Sequence, residues 1–511
     1  MPENHAPNGP FVMPMMNSWV PRKLQPWIYV LFVISFQVTE FMYTGATANA
    51  MGDTCLMRED VSMIALCGVV GVNMPFPFLF RFKFRFTNRQ LLINAALCIA
   101  ACHILSTLTE NLVLLCILSY VSGFFKLCGT FECISNIRTW FTRTGDPALF
   151  FPILFSILLG SQTLSPWLST HVTYIFQSWK AMQWIMAGWM CLIALVVYVI
   201  THPFRFMRPL PLVSLDWLGC GLWSALLIEV IFLFNYGEFY NWWDGAPFRL
   251  VACMVPVTAY FTIQRMRHIR HPYIEPGAWM YKRLPLLLAM FFLVQIINST
   301  PNVLQNTLTG SVLHFGRLAT SRFYLIAVVG TLCGSCFIMF WVKVLHQKYT
   351  RLLTLGFAML MVYVVMMYFH VMPGLDIAHF YLSVFCRAFG YAIFFIVLTI
   401  YLKDLMPFPQ FFMGLTMIGF VRTGVAETIC SGVYGYLLRH GIADNMARGL
   451  PYDATQAMLV AIKQLYGFTC IFGTIVLLFF LLWDIQPVRT TLKRIPTWNV
   501  LGRFTRRMMR R

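Results

Sequence analysis

The chain is predicted to be an all-α polytopic membrane protein, and three observations predict it. Hydrophobic residues make up 59% of the sequence and charged residues 11%, with a mean hydropathy of +0.69, well outside the range of soluble globular proteins. Apolar runs of about 20 residues, the length a helix needs to cross the hydrocarbon core, follow one another along most of the chain. Lys and Arg lie mainly between these runs and in the C-terminal tail.

Fourteen runs can be counted, each bounded by charged or turn residues. Span 1 (27 to 49) follows Arg22 and Lys23, and span 2 (61 to 80) lies between Asp60 and Arg81. Span 3 (90 to 108) and span 4 (112 to 135) are separated by Glu110. Span 5 (148 to 172) and span 6 (181 to 201) flank Ser178 to Lys180. Span 7 (215 to 235) and span 8 (248 to 264) form a hairpin around Gly237 to Trp243. Spans 9 (284 to 306), 10 (322 to 342) and 11 (352 to 371) follow Arg283, Arg317 and Arg351. Span 12 (377 to 402) ends at Lys403, and spans 13 (410 to 437) and 14 (464 to 484) leave 439 to 463 as the longest external loop, a partner contact or a solvated connector.

An even count puts both termini on one side, and the excess of Lys and Arg in the loops of that side predicts that it is cytoplasmic. The net charge of +19 is thereby explained without nucleic acid. No basic residue precedes Arg22, so the N-terminus lacks the n-region of a signal peptide and reads as a short cytoplasmic tail. Arg503, Arg506, Arg507, Arg510 and Arg511 form a basic tail that rests on anionic headgroups or is simply solvated. The expected divisions are 1–26, a tail; 27–201, a six-helix bundle; 202–264, a linker and inserted hairpin; 265–484, a second bundle; and 485–511, the basic tail. Fifteen Cys are scattered through apolar segments, where they pack as small hydrophobes, and this includes the Cys333/Cys336 pair of redox spacing.

The loops Arg85-Phe86-Thr87-Asn88-Arg89 and Lys348-Tyr349-Thr350-Arg351 occupy equivalent places in the two halves. Span 5 carries Gly160-Ser-Gln-Thr-Leu-Ser165-Pro166, followed by Ser178-Trp179-Lys180, and the hairpin opens Leu215-Asp216-Trp217-Leu-Gly219. With these features the chain resembles the major facilitator superfamily, specifically its fourteen-span branch of drug/proton antiporters. The basic loops lack that family's acidic residue, with Phe84 and Gln347 near its place. Ser165, Ser169 and Thr170 replace most of the span 5 glycines, and small residues still permit close helix packing. Thr39-Glu40-Phe41-Met42 stands where the branch has an acidic residue in span 1. The resemblance implies two six-helix bundles plus the hairpin, with spans 1, 4, 9 and 12 lining a central cavity.

Glu40 is a carboxylate at bilayer depth, costly unless it faces a cavity or a partner. Gln37, Glu40, Thr44 and Thr47 share one helix face, and Gln295, Asn298, Asn302 and Gln305 in span 9 repeat the same offsets of 0, 3, 7 and 10. Two such stripes exceed what helix pairing needs and are expected to face a cavity. Pro301 should free a backbone carbonyl beside the second. Span 4 adds Ser119, Ser122, Lys126 and Thr130, and span 12 adds Arg387 near mid-membrane. Arg422 and Glu427 in span 13 are charges of structural or coupling role. Glu40 and Lys126 are expected to differ in height by about 10 Å, which disfavours a direct ion pair unless the helices tilt.

These residues point to a secondary active transporter: proton-coupled efflux of small amphiphilic or anionic compounds, with Glu40 carrying the proton. One acid facing two or three bases suits an anion better than a lipophilic cation. The alternatives are a proton-coupled importer of an organic anion, or a receptor or scaffold that keeps the fold without transport. The expected setting is the inner (plasma) membrane, and the resemblance permits a periplasmic adaptor and an outer-membrane channel as partners. No phosphate-binding loop, nucleophile elbow or metal-spaced His and Glu is present, so neither an enzyme nor a cofactor or metal is expected. His103, inside span 3, reads as a satisfied core residue.

Overall fold

A computed structural model describes residues 15–39, 42–141, 147–205, 211–212, 215–281, 283–341, 349–447 and 454–482. Among these, 13 helices are long and apolar enough to cross a membrane, and they match predicted spans 1 to 12 and 14. The predicted span 13 is also helical. It runs from Phe408–Gly419 through a π turn, Phe420–Ala426, into Glu427–Ala447, with Arg422 and Glu427 interrupting its apolar character.

Helices outrun their apolar cores, because backbone hydrogen bonding continues where water can solvate the side chains. Span 13 extends to Ala447 and span 14 starts at Ala454, so most of the predicted 439 to 463 loop is helix. Arg439, expected in that loop, pairs from its helix with Glu238 at 3.2 Å. Of the second basic loop, Lys348 lies outside the described residues and Tyr349 to Arg351 open the span 11 helix; the distal basic tail and the first 14 residues also lie outside.

Two spans break where side chains force them to. Span 2 stops as an α-helix at Asn73 and passes through the 3-10 turn Phe76–Phe78 before resuming at Leu79, because Pro75 and Pro77 lack N–H donors. Phe78 N–H then bonds Pro75 O at 2.8 Å, and the carbonyl of Met74 accepts instead from the Tyr273 hydroxyl at 2.8 Å. Span 9 runs as an α-helix over Leu284–Asn298 and continues as two π segments, Pro301–Gln305 and Leu308–Val312. The carbonyl expected to be freed by Pro301 is that of Ile297, and Thr300 Oγ1 caps it at 2.8 Å. Span 1 comprises Gln25–Val38 and Met42–Asp53, and Glu40 and Phe41 between them lie outside the described residues.

Spans 2 and 4, 3 and 6, 10 and 12, and 11 and 12 pack side by side, while spans 5 and 10 join the two halves. Span 7 leans on spans 2 and 13, whereas span 8 touches little besides span 7 and is largely exposed to the surroundings. The hairpin is anchored by Asp216, which caps span 7 at Gly219 N–H (2.9 Å), pairs with Arg265 at the end of span 8 (2.7 Å) and accepts from Tyr273 N–H (3.0 Å).

Candidate functional site: a polar core between the halves

On the terminal side, aromatic rings from both halves interlock. Phe412 meets Phe80 at 4.8 Å and Phe131 at 5.7 Å, while Phe155 meets Phe395 at 4.9 Å, mostly edge to face. Asn73 of span 2 donates to the Gly419 carbonyl of span 13 at 3.5 Å above this layer. Going the other way along the bundle, Gln37, Lys126 and Gln295 are buried, whereas Thr44 and Asn302 are exposed. Solvent access to the polar residues therefore grows away from the aromatic layer.

In the N-terminal half, span 5 packs closely on span 1. Ser165 Oγ donates to Val38 O and Ser169 Oγ to Met42 O, both at 2.6 Å. A Cβ on Gly45 would lie 2.5 Å from Pro166 O, which shows how closely the two helices approach. The small residues Ser165 and Ser169 thus make the close packing expected of them.

Gln37 is less of a cavity residue than its helical spacing predicts. It is 3% exposed, donates to Thr130 Oγ1 of span 4 at 2.9 Å, and accepts from Gln162 Nε2 of span 5 at 3.5 Å. Thr47 bonds back to Tyr43 O and Thr44 O of its own helix. Ser122 and Lys126 line a small cavity of about 30 Å³ with Thr39, Tyr43, His103 and Ser106, enough for a water. His103 Nδ1 lies 2.6 Å from Gln183 Oε1, while its buried Nε2 has no hydrogen-bond partner among the described residues, so the expected satisfaction is only half met.

The C-terminal half holds two hydrogen-bonded clusters. Gln295 Nε2 donates to the Arg422 carbonyl at 2.6 Å, inside the π turn, where the shifted hydrogen-bond register leaves carbonyls in need of donors. Asn298 donates to Gln295 Oε1 at 3.0 Å, and Arg387 Nη1 donates to Asn298 Oδ1 at 3.1 Å. Asn302 Nδ2 donates to Glu427 Oε1 at 3.0 Å and to Ser431 Oγ at 3.3 Å. Gln305 leaves this row. The π segment adds about one residue to its turn, so Gln305 faces span 11 and accepts from the Tyr363 hydroxyl at 3.3 Å.

Both arginines are held by neutral groups. Arg387 stands 5.9 Å from the centre of the Tyr363 ring, and its buried Nε has no hydrogen-bond partner. Arg422 lies over Phe395 at 4.5 Å, and its Nη1 reaches Tyr391 Oη at 3.5 Å. The charges of Arg422 and Arg387 both act on Glu427, and that of Arg422 acts across the halves on Lys126.

One ion pair and one carboxylate hydrogen bond were not foreseen from the sequence. Glu132 of span 4 pairs with Lys83 of span 2 at 3.3 Å, which no spacing within one helix could reveal. Glu229, a visible charge inside span 7, accepts from Thr258 of span 8 at 2.8 Å. Among the described residues no group of His, Cys, Asp and Glu is arranged to hold a metal ion.

Neither a family model nor a curated protein matches the sequence. Among solved structures, the crystal structure of the nucleoside transporter NupG, a point mutant, is similar, with a TM-score of 0.51 at 11% sequence identity. The likeness covers 90% of this chain and 98% of that one. At that identity the likeness concerns the fold alone: the chain is a multi-pass, all-helical membrane protein with a major-facilitator-type fold.

Proposed function

We propose that the protein is a secondary active transporter that exports small amphiphilic or anionic compounds by alternating access, coupled to protons through Glu40. The substrate class rests on one observation: Arg387 and Arg422 hydrogen-bond only to neutral partners, beside a row of amides from span 9. A guanidinium offers a planar fork that matches a carboxylate or phosphate. Charges at this depth are retained where they serve a substrate path. Nucleosides, the cargo in the neighbour's name, lack an anionic group, so the arginines separate this reading from that one. Export and antiport are supported by the resemblance to the fourteen-span drug/proton antiporters, in the inserted hairpin and the position of Glu40. The charge asymmetry of the loops supports cytoplasmic termini in an inner membrane, with bundles at 27–201 and 265–484.

Proteoliposomes under an imposed pH gradient test this. Amphiphilic anions should move against the gradient, Arg387→Gln and Arg422→Gln should abolish their movement, and Glu40→Gln should uncouple it from the gradient. Movement of lipophilic cations with anions ignored would overturn the substrate class, and gradient-driven transport surviving Glu40→Gln would overturn the coupling role.

A second reading, import of an organic anion with a proton, is favoured by Glu427. An anion held by Arg387 and Arg422 would compete with this carboxylate for the same charges. Anion and proton entering together leave the least uncompensated charge, and the direction of movement in the same assay distinguishes the two.

A further inference from the structure

Away from the central polar core, two cavities meet at the terminal-side end of the N-terminal half. One is an apolar crevice of about 330 Å³ between spans 2, 3, 4 and 7, walled by Phe82, Tyr120, Phe124, Phe125 and Trp217. The other is a polar mouth of about 430 Å³ formed by Arg85, Gln90 and Arg205. Phe86 and Asn94 line both, so they are one continuous space with an apolar body and a basic opening. Each part is of the size that ligand pockets have, about 300–1,000 Å³.

The opening is a built feature. Asn88 N–H donates to Phe204 O at 3.1 Å, and Phe204 N–H donates to Asn88 Oδ1 at 2.9 Å, which pins the end of the span 6 connection to the start of span 3. Arg205 is thereby held beside Arg85. Both arginines are exposed, and among the described residues neither is ion-paired to a carboxylate. Arg85 ends span 2 and Trp217 opens span 7, so the mouth sits where headgroups lie and the crevice runs inward into the hydrocarbon layer. A neutral lipid would leave the two guanidinium charges without a counter-charge, and a soluble anion would leave the aromatic crevice unfilled. Basic openings between helices at the membrane surface suit anionic headgroups.

We propose that this space is a binding site for one anionic phospholipid, its phosphate held by Arg85 and Arg205 and an acyl chain lying in the crevice. The lipid would wedge between the 2–3 loop and the entrance to the inserted hairpin, where the ring of Trp217 contacts Phe78 and Phe82.

The test is native mass spectrometry of the purified full chain titrated with phosphatidylglycerol or phosphatidylcholine. Wild type should retain phosphatidylglycerol preferentially. Near a membrane surface each arginine is worth about five-fold in lipid affinity, so Arg85→Gln with Arg205→Gln should weaken retention roughly 25-fold. Val121→Trp, which fills the crevice and leaves both charges, should also release the lipid, while Arg85→Lys with Arg205→Lys should keep most of it and controls for folding. Soluble glycerol phosphate should compete poorly. Equal retention of the two lipids by wild type, retention unchanged in both the glutamine and the tryptophan variants, or full displacement by glycerol phosphate would each overturn the proposal, the last by showing a headgroup-only anion site.

Discussion

Replacing Asp216 tests whether the inserted hairpin is a docked element or a passenger. One carboxylate satisfies four donors: Gly219 N–H at 2.9 Å, Arg265 Nε and Nη2 both at 2.7 Å, and Tyr273 N–H at 3.0 Å. Asp216→Ala removes the helix cap, at a cost of about 1 kcal/mol, and leaves the buried Tyr273 N–H unsatisfied, at roughly 1–3 kcal/mol. It also strands Arg265. Breaking a fully buried pair costs about 3–5 kcal/mol, but the Arg265 side chain is 28% exposed and water recovers part of that, so roughly 2 kcal/mol is the better figure. These terms share one side chain and overlap, which puts the total near 4 kcal/mol. Asp216→Asn keeps an acceptor for the cap and should lose about half as much.

Cys67, Cys128 and Cys220 are buried, so once the exposed cysteines such as Cys55 and Cys191 are blocked with an alkylating reagent a thiol-reactive dye reports unfolding. Asp216→Ala should lower the apparent unfolding temperature by on the order of 5 °C or more, with Asp216→Asn in between. An Asp216→Ala protein within about 1 °C of wild type would refute the reasoning, since the hairpin would then be held by apolar packing alone. The same loop carries Tyr273, whose hydroxyl holds Met74 O at the break in span 2, so loss of the clamp should also loosen that break.

Three further outcomes follow from the same geometry. Ser165→Ala and Ser169→Ala each leave a span 1 carbonyl without its donor and should cost roughly 1–3 kcal/mol apiece, read as a lower unfolding temperature. Gly419→Ala would place a Cβ 2.1 Å from Asn73 Oδ1, so it should reduce transport, and adding Asn73→Ala should recover part of the loss in a double-mutant cycle. Phe412→Ala removes, among others, the ring contacts with Phe80 and Phe131 that close the terminal-side aromatic layer, each worth about 0.5–1.5 kcal/mol. A cysteine introduced at Thr130 should then label faster with a soluble thiol reagent added on that side, and an unchanged rate would show that the layer is not the closure.

The spans were legible because crossing a bilayer imposes length and apolarity on each segment separately, and these are properties of consecutive residues. What could not be read depends on two segments at once. Lys83 and Glu132 sit in different helices, and their pairing follows only from the way spans 2 and 4 cross. The polar stripe of span 9 shows the limit most clearly. Helical spacing puts Gln295, Asn298, Asn302 and Gln305 on one face, and the first three do reach span 13 or its partners, Gln295 and Asn298 in one cluster and Asn302 in another. Gln305 departs because Pro301 opens a π segment, and the proline that signalled a freed carbonyl was also the signal that the α register would fail beyond it. Gln295, in turn, bonds a carbonyl within a π turn in span 13, for which Gly419 and Gly424 are the only local sequence signals and no proline gives notice. Two irregular turns facing each other, one holding amides and the other Arg422 and Glu427, make the C-terminal half the place where a small shift of either helix would rearrange both charges. A bound anion could bias that shift, because it would compete for the guanidinium groups that now rest on neutral partners.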